Sequence, residues 1–385
     1  MILHNVLIKD TGSNCDIHVD NGFVTAVTAP SATNNSIVFE NAIAFPGLIN
    51  SHDHLDFNSF PLLGNKIYDS YVAWGNDIHA ENSNTINQVL QIPKALRVQW
   101  SLYKNLLNGV GTVVQHGEHF NVRNDLVDVY QNCTHIHSIR QEKKWKLKLN
   151  KPRTNNWPVV VHIGEGTNTD AAAEIDELLR WNLLRKKLIG IHGVAMSPGQ
   201  AKHFRALIWC PESNYFLLGK TADIRQLKQV VPILFGTDST LTGHWSIWEQ
   251  LRTGLETGMV TREELYNMIT EAAAQIWQLP HNASIRAGAQ AKIVVARAKT
   301  TGHFMDSFFA LTPKDILLVI HDGEVRLFDE TLYKQLQSSG AFQPEQFSKI
   351  FVSGQPKYVY GNLPALMDNI QQFAPGIVFP DISIT

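Results

Sequence analysis

The 385-residue chain predicts an α/β fold: a (β/α)8 TIM-like barrel, regular or distorted, with a small β-sandwich built from both chain termini. Two observations predict it. First, His52, His54, His162, His192 and Asp238 stand where separate apolar stretches run out, as functional residues gathered at the C-terminal ends of parallel strands do. The stretches are Ala42–Pro46 continuing through Leu48–Asn50, Val159–Val161, Leu188–Ile191 and Val231–Phe235. Second, the middle of the chain alternates strands with helical stretches, whereas both ends read as short strands and turns.

Residues 1–48 alternate short apolar runs with turn signals, at Val6–Ile8, Ile17–Val19, Phe23–Val27 and Ile37–Phe39. Asn21-Gly22 lies between two of these runs and cues a hairpin, because both residues tolerate the positive φ of a tight turn. Pro46-Gly47 breaks the texture and delivers the chain to Leu48–Asn50. From there to about Pro280, apolar residues at helix spacing mark Thr85–Leu107, Ala171–Leu184 and Arg262–Leu279. Strands are expected at Thr112–Gln115, Cys133–Ser138, Val159–Ile163, Leu188–Ile191, Leu207–Cys210 and Ile233–Phe235, besides the one ending at His52. An eighth falls near Leu126–Tyr130. The passage from His116 to His162 is short, so trimmed helices or an altered barrel wall are expected there. After Pro280, strands return at Ile293–Ala296 and Ile316–Ile320, followed by hairpin-like units at His321–Val325 and Val352–Pro356. The expected division is 1–48 with 283–385 as a composite β-sandwich, and 49–282 as the barrel.

An apolar fraction of 44% suffices for a sizeable core. The net charge of −2 lacks the basic excess of a general nucleic-acid or anionic-membrane binder. The one locally basic stretch, Lys143–Lys151, reads as a solvated face. Cys15, Cys133 and Cys210 are odd in number and far apart, which suits reduced thiols better than a disulfide framework. The first ten residues lack a secretory pattern, and no apolar run approaches the roughly 20 residues of a membrane helix. A cytoplasmic protein acting on a small molecule is expected, with no nucleic-acid or membrane partner and homo-oligomer formation left open.

His52 and His54, two apart at a strand end, project from one face. Alone, such a pair is as often two ordinary surface histidines. Its company changes the weighing. Val159-Val160-Val161-His162 runs into Gly164-Glu165-Gly166, whose glycines let the backbone bend toward a ligand. Ile189-Gly190-Ile191-His192 repeats the logic, and Phe235-Gly236-Thr237-Asp238 ends the last strand on a carboxylate. Imidazole and carboxylate ligands suit zinc, and also iron or manganese. A metal with an open position lowers the pKa of a water to ~7 in zinc sites. Glu165 is then expected as the proton carrier. Further candidates have bland competitors. His116 and His119 line a pocket rather than ligate, or form a surface turn; Tyr68, Tyr71 and Trp74 stack on a flat ring or pack on the barrel. Arg140 meets an anionic substituent or solvent, and Asn214 contacts substrate or caps a turn.

These motifs resemble the amidohydrolase superfamily, nearest its branch of cytosine, guanine and adenosylhomocysteine deaminases and triazine hydrolases. The matching residues are Pro46–His54, His162-Ile163-Gly164-Glu165, His192, Cys210–Asn214, Gly236–Ser239 and Ile285–Gly288. The resemblance implies one divalent metal, zinc ahead of iron or manganese, held by His52, His54, His162 and Asp238. It implies that Asp238 takes a proton from the attacking water, that His192 holds or polarises that water, and that Glu165 shuttles the proton to the ring nitrogen and leaving group. His-x-x-Glu after the fifth strand, and no lysine in Thr134–Ser138, favour one metal over two. One departure is Ala291-Lys292, where the family has Ala-Asp. The expected reaction is hydrolytic deamination of a heterocyclic amine. Ring-opening hydrolysis of a cyclic amide, as in imidazolonepropionase-like members, and an inactive binding scaffold are the alternatives.

Overall fold

The computed structural model describes residues 1–31, 36–121, 125–152, 156–279 and 283–384. Pro280 and the expected boundary at 282 lie outside the described residues, as does residue 385.

The chain opens with β1 (Ile2–Ile8), β2 (Asn14–Asp20), β3 (Phe23–Thr28) and β4 (Ser36–Pro46). Then come β5 (Leu48–Asp53), β6 (Val110–Gln115), β7 (Asp128–Tyr130), β8 (Thr134–Ser138), β9 (Val159–Ile163), β10 (Leu188–His192), β11 (Ala206–Trp209) and β12 (Ile233–Phe235). It closes with β13 (Ile293–Arg297), β14 (Ile316–His321), β15 (Glu324–Asp329), β16 (Phe347–Val352), β17 (Gln355–Tyr360) and β18 (Ile382–Ser383).

The strands of the two chain ends hydrogen-bond into one ten-stranded sheet, ordered β18-β16-β17-β15-β14-β13-β4-β1-β2-β3. Its halves join where β4 and β13 pair antiparallel, with Ile293 opposite Pro46. Only β1 and β4 pair in parallel. Asn21-Gly22 makes the expected hairpin turn between β2 and β3, with φ of 48° and 81°. Period-two alternation buries both faces of the sheet. Ala42, Ala44, Ile293 and Val295 enter one apolar cluster with Leu3 and Ile17. Ile43, Phe45, Val294 and Ala296 enter the other, where Phe45 meets Phe308 and Trp248 edge-on at 5.0 and 5.9 Å.

The eight middle strands lie in two parallel sheets, β5-β6-β7 and β12-β11-β10-β9-β8. Strand β7 occupies the place expected of the weak eighth strand. Among the described residues no helix lies between β6 and β8, and a single short one, Trp145–Leu149, lies between β8 and β9. The trimming expected there is therefore present. Ile49, Val114, Val160, Ile189, Ile208 and Leu234, from six strands, meet in one buried cluster with Trp277. The Trp277 indole N–H donates to Ser51 Oγ at 3.1 Å. Strand ends β12 and β5 also meet, since the N–H groups of Thr237 and Asp238 both donate to the His52 carbonyl at 3.1 Å.

Two helices are shorter than their apolar spacing predicts. Thr85–Leu107 is two helices, Ser83–Leu90 and Lys94–Leu107, because Pro93 lacks an N–H and keeps its predecessor out of helical geometry. Arg262–Leu279 likewise divides into Arg262–Met268 and Glu271–Trp277. Its break is Thr270, at φ −130° and ψ −103°. Ala171–Leu184 is a helix over Thr169–Trp181. All three cysteines are free and buried. No helix among the described residues is long and apolar enough to cross a membrane.

Candidate metal centre

The predicted residues converge. Strand β5 carries His52 and leads directly to His54, β9 carries His162, β10 ends on His192, and Asp238 follows β12. All five are buried. His192 and Asp238 adopt φ of 70° and 55°, a left-handed conformation that costs energy outside glycine and recurs at functional sites. Gly236 permits the close approach of β12 to β5. A Cβ on Gly236 would lie 2.6 Å from the His52 Cβ and 3.0 Å from its backbone nitrogen.

Ring orientation is set from outside the cluster. His54 Nδ1 donates to the His116 carbonyl at 3.0 Å, and His162 Nδ1 to the His137 carbonyl at 2.7 Å. With those protons on Nδ1, both Nε2 atoms carry lone pairs, and they face each other at 3.3 Å. His162 Nε2 is also 3.3 Å from His52 Nε2. Asp238 Oδ1 lies 3.5 Å from His52 Nε2 and 3.6 Å from His54 Nε2. Acceptors crowded in this way repel one another unless a cation lies at their focus. Burial, followed by the neighbouring His52, holds the His54 and His162 imidazoles well below their ordinary pKa, so they stay in the neutral form that binds metals. Burial by itself would raise the Asp238 carboxyl. Its hydrogen bond with His52 and its interactions with the His52, His54 and His192 imidazoles outweigh that and hold it well below the usual range. The donor set fits a divalent metal.

A second layer fixes the other groups. Asp238 accepts from Ser213 Oγ at 2.8 Å and Thr242 Oγ1 at 3.1 Å. His192 Nδ1 donates to Asn214 Oδ1 at 2.8 Å, which leaves Nε2 facing Glu165 Oε2 at 3.6 Å. Asn214, expected to contact substrate or cap a turn, orients His192 instead. Burial, then the Asp238 and Glu174 carboxylates, push the Glu165 carboxyl well above its ordinary value. Gly164, at φ +63°, turns the chain toward Glu165, and its N–H donates to buried Glu174 at 2.7 Å. The Glu165 carbonyl accepts from the Tyr71 N–H at 3.1 Å, tying that turn to helix Tyr71–Glu81.

The secondary candidates divide. Tyr71 and Trp74 line a cavity of about 430 Å³ that reaches His54, His162, His192, Glu165 and Asp238. Tyr68 is buried away from that cavity, and its hydroxyl donates to Asp77 at 2.7 Å. Arg140 turns to Glu174, 3.5 Å away, and does not line the cavity. His116 and His119 line a neighbouring cavity with Glu118 and Trp157. The His116 ring also sits 4.4 Å from that of His162. Sequence reasoning missed His137, whose carbonyl orients His162 and whose ring lines the main cavity. Its signal was available, since His135-x-His137 on β8 repeats the spacing of His52 and His54. Glu174 and Ser213 were missed as supports, and Phe57 and Phe60 as cavity walls.

A buried focus of imidazoles and carboxylates at parallel strand ends defines the class: an α/β protein with a candidate divalent-metal site. Residues 142–326 match the profile described as the amidohydrolase family. That match takes in His162, His192 and Asp238 and agrees with the resemblance read in the strand-end motifs. No curated protein matches the sequence. Among solved structures, an adenosine deaminase from Xanthomonas campestris with bound zinc is 14% identical, with 94% of this chain and 93% of that chain covered and a TM-score of 0.69. An atrazine chlorohydrolase from Arthrobacter aurescens TC1 complexed with zinc is 16% identical, covering 88% of this chain and 99% of that one, at a TM-score of 0.65. A guanine deaminase from C. acetobutylicum with bound guanine is 14% identical, covering 84% and 99%, at 0.59. At such identities these three share the fold.

Proposed function

We propose that the chain is a metal-dependent hydrolase of C–N bonds other than peptide bonds, which deaminates a heterocyclic amine. The observation that carries this reading is a buried carboxyl, Glu165, fixed on a turn beside the imidazole focus at the inner end of a cavity with aromatic walls. His52, His54, His162 and Asp238 would hold one divalent metal, zinc ahead of iron or manganese. When bound, it would lower the pKa of a water so that a nucleophile exists at neutral pH. The protein groups then divide the proton work. Asp238, held ionised, accepts the proton of the attacking water. His192, fixed by Asn214, orients that water. Glu165, its carboxyl raised by burial, gives its proton to a ring nitrogen, passes the proton that Asp238 took from the water to the departing ammonia, and recovers its own from the added hydroxyl as the carbonyl forms. The fold of proteins named as adenosine and guanine deaminases, and the amidohydrolase family match, support this choice.

The same reading assigns the eight middle strands to one distorted (β/α)8 barrel, open between β7 and β8, within residues 49–282. The cluster shared by six of those strands supports it. The composite β-domain is residues 1–48 with 283–385.

The test is a Glu165→Gln variant, assayed across purine, pyrimidine, pterin and triazine amines with metal present. The variant should keep its metal and lose at least a hundredfold in ammonia release. An almost fully active variant would discard the mechanism. Wild-type protein that forms new carboxylate from cyclic amides, with no ammonia, would move the reaction to ring opening.

A further inference from the structure

The main cavity, about 430 Å³ in volume, falls within the ~300–1,000 Å³ of small-molecule sites. Its inner end is the metal centre. Its apolar lining is Phe57, which stacks on the His54 ring at 5.4 Å, with Phe60, Trp74, Ile86, Leu90 and Leu217. The polar atoms of the aromatic walls are already engaged. Trp74 Nε1 donates to the Leu63 carbonyl at 2.6 Å, and the Tyr71 hydroxyl donates to Ser138 Oγ at 2.7 Å. Both residues therefore offer ring faces, which suit a flat π-system.

Charge narrows the choice further. No lysine or arginine lines the cavity among the described residues. Arg140, the basic side chain that the sequence offered for an anionic group, faces Glu174 and donates to the Asp170 carbonyl at 3.2 Å. Outside the metal centre, the histidines lining the cavity are His137 and rim-exposed His79. A carboxylate or phosphate entering past the apolar wall would give up its water and find no fixed counter-charge there. An alkyl group in the same place would leave water for an apolar surface.

We infer that the substrate is a neutral heterocyclic amine bearing an apolar substituent, which packs against the Phe60–Leu90 wall while the amine end faces Glu165. This rests on the deaminase reading for the orientation of the ring. The test uses zinc-loaded protein and two rings, an aminopurine and an amino-s-triazine. Each is prepared bare, with a propyl group, and with a carboxyethyl group in the propyl position. Ammonia release and calorimetric Kd are measured in parallel. The propyl compound of at least one ring should bind roughly tenfold or more tighter than its bare parent, and its carboxyethyl counterpart tenfold or more weaker than the propyl compound. That order in Kd without ammonia would sink the deaminase reading and keep the substrate class. A carboxyethyl compound that binds as tightly as the propyl one, or no measurable binding of either propyl compound, overturns the class. Leu90→Arg places a cation at a position 48% exposed, where folding is spared and a thermal melt will show it. It should improve carboxyethyl binding at least fivefold; an unchanged ratio overturns the placement of the substituent at this wall.

Discussion

Lys104→Met should unfold the chain more easily and loosen the metal centre, although Lys104 does not touch the centre. Period two sends His52 and His54 to one side of β5 and Asp53 to the other, where Asp53 is fully buried. Lys104 Nζ lies 3.2 Å from Asp53 Oδ2 and donates to Asn58 Oδ1 at 2.8 Å. Asn58, Asn105 and Asn50 also donate to the carboxylate, at 2.8, 2.9 and 3.4 Å. Removing one partner of a buried ion pair costs about 3–5 kcal/mol, because the remaining charge loses its counter-charge without regaining water. The amide donors that stay on Asp53 place the expected loss near the lower end, about 3 kcal/mol. Pairing it with Asp53→Asn removes both charges and should recover most of that loss. Urea unfolding of the metal-free single and double variants measures the cycle, and zinc titration measures the site. Zinc affinity should fall 10–100-fold in Lys104→Met, as for other residues that position ligands. A single variant within about 1 kcal/mol of wild type, or a double variant less stable than the single, would refute the account of this pair.

Gly236→Ala places a Cβ 2.6 Å from the His52 Cβ, so strand ends must part. It should cost about 1–3 kcal/mol and lower zinc occupancy, checked by thermal melts and metal analysis. Asn214→Leu leaves His192 Nδ1 without its acceptor and should lower kcat about 10–100-fold with metal content unchanged. Lys357 tests a pH dependence far from the site. Burial is the largest influence on it and, despite opposing Asp329, lowers its ammonium from 10.5 to about 8. Between pH 8 and 10.5 the unfolded chain then binds more protons than the folded one, so stability rises with pH across that window and the penalty is complete below it. The effect is at most about 3 kcal/mol. Lys357→Met should flatten that rise, read from urea melts at about pH 8 and about pH 10.

The convergence of the five candidate residues was legible because each stands at or just beyond the end of an apolar run, and the register of a strand fixes the side to which its residues point. The two ends of the chain were legible as partners because Asn21-Gly22 and the later Asp322-Gly323 and Ser353-Gly354 pairs mark the same hairpin grammar, with positive φ at all six positions. The helix break at Pro93 was in the sequence too, but apolar residues at helical spacing continue on both sides of it and mask it. Arg140 reads as an exposed cation free to meet an anion. Glu174, three-dimensionally adjacent and more than thirty residues away, makes it a structural partner instead.

What could not be read is the shell that holds the ligands, and Asp53 shows the physical reason. Its position between two histidines on a strand already places it on the face opposite them. A carboxylate on a buried face must find a partner, so the need for one is written locally. The identity of that partner is not. It depends on how helix Lys94–Leu107 packs against β5, which brings Lys104 and Asn105 to the Asp53 carboxylate. Asn50 shows the same dependence at longer range, where its amide bridges β5 to the end of β12 by donating to Thr237 Oγ1 at 2.8 Å and accepting from the Thr237 N–H at 3.1 Å. The candidate ligands follow from strand periodicity, which is local; their supports follow from the packing of helices and distant strand ends, which is not. A variant that keeps every ligand and changes only a support therefore separates metal binding from the fold that positions it.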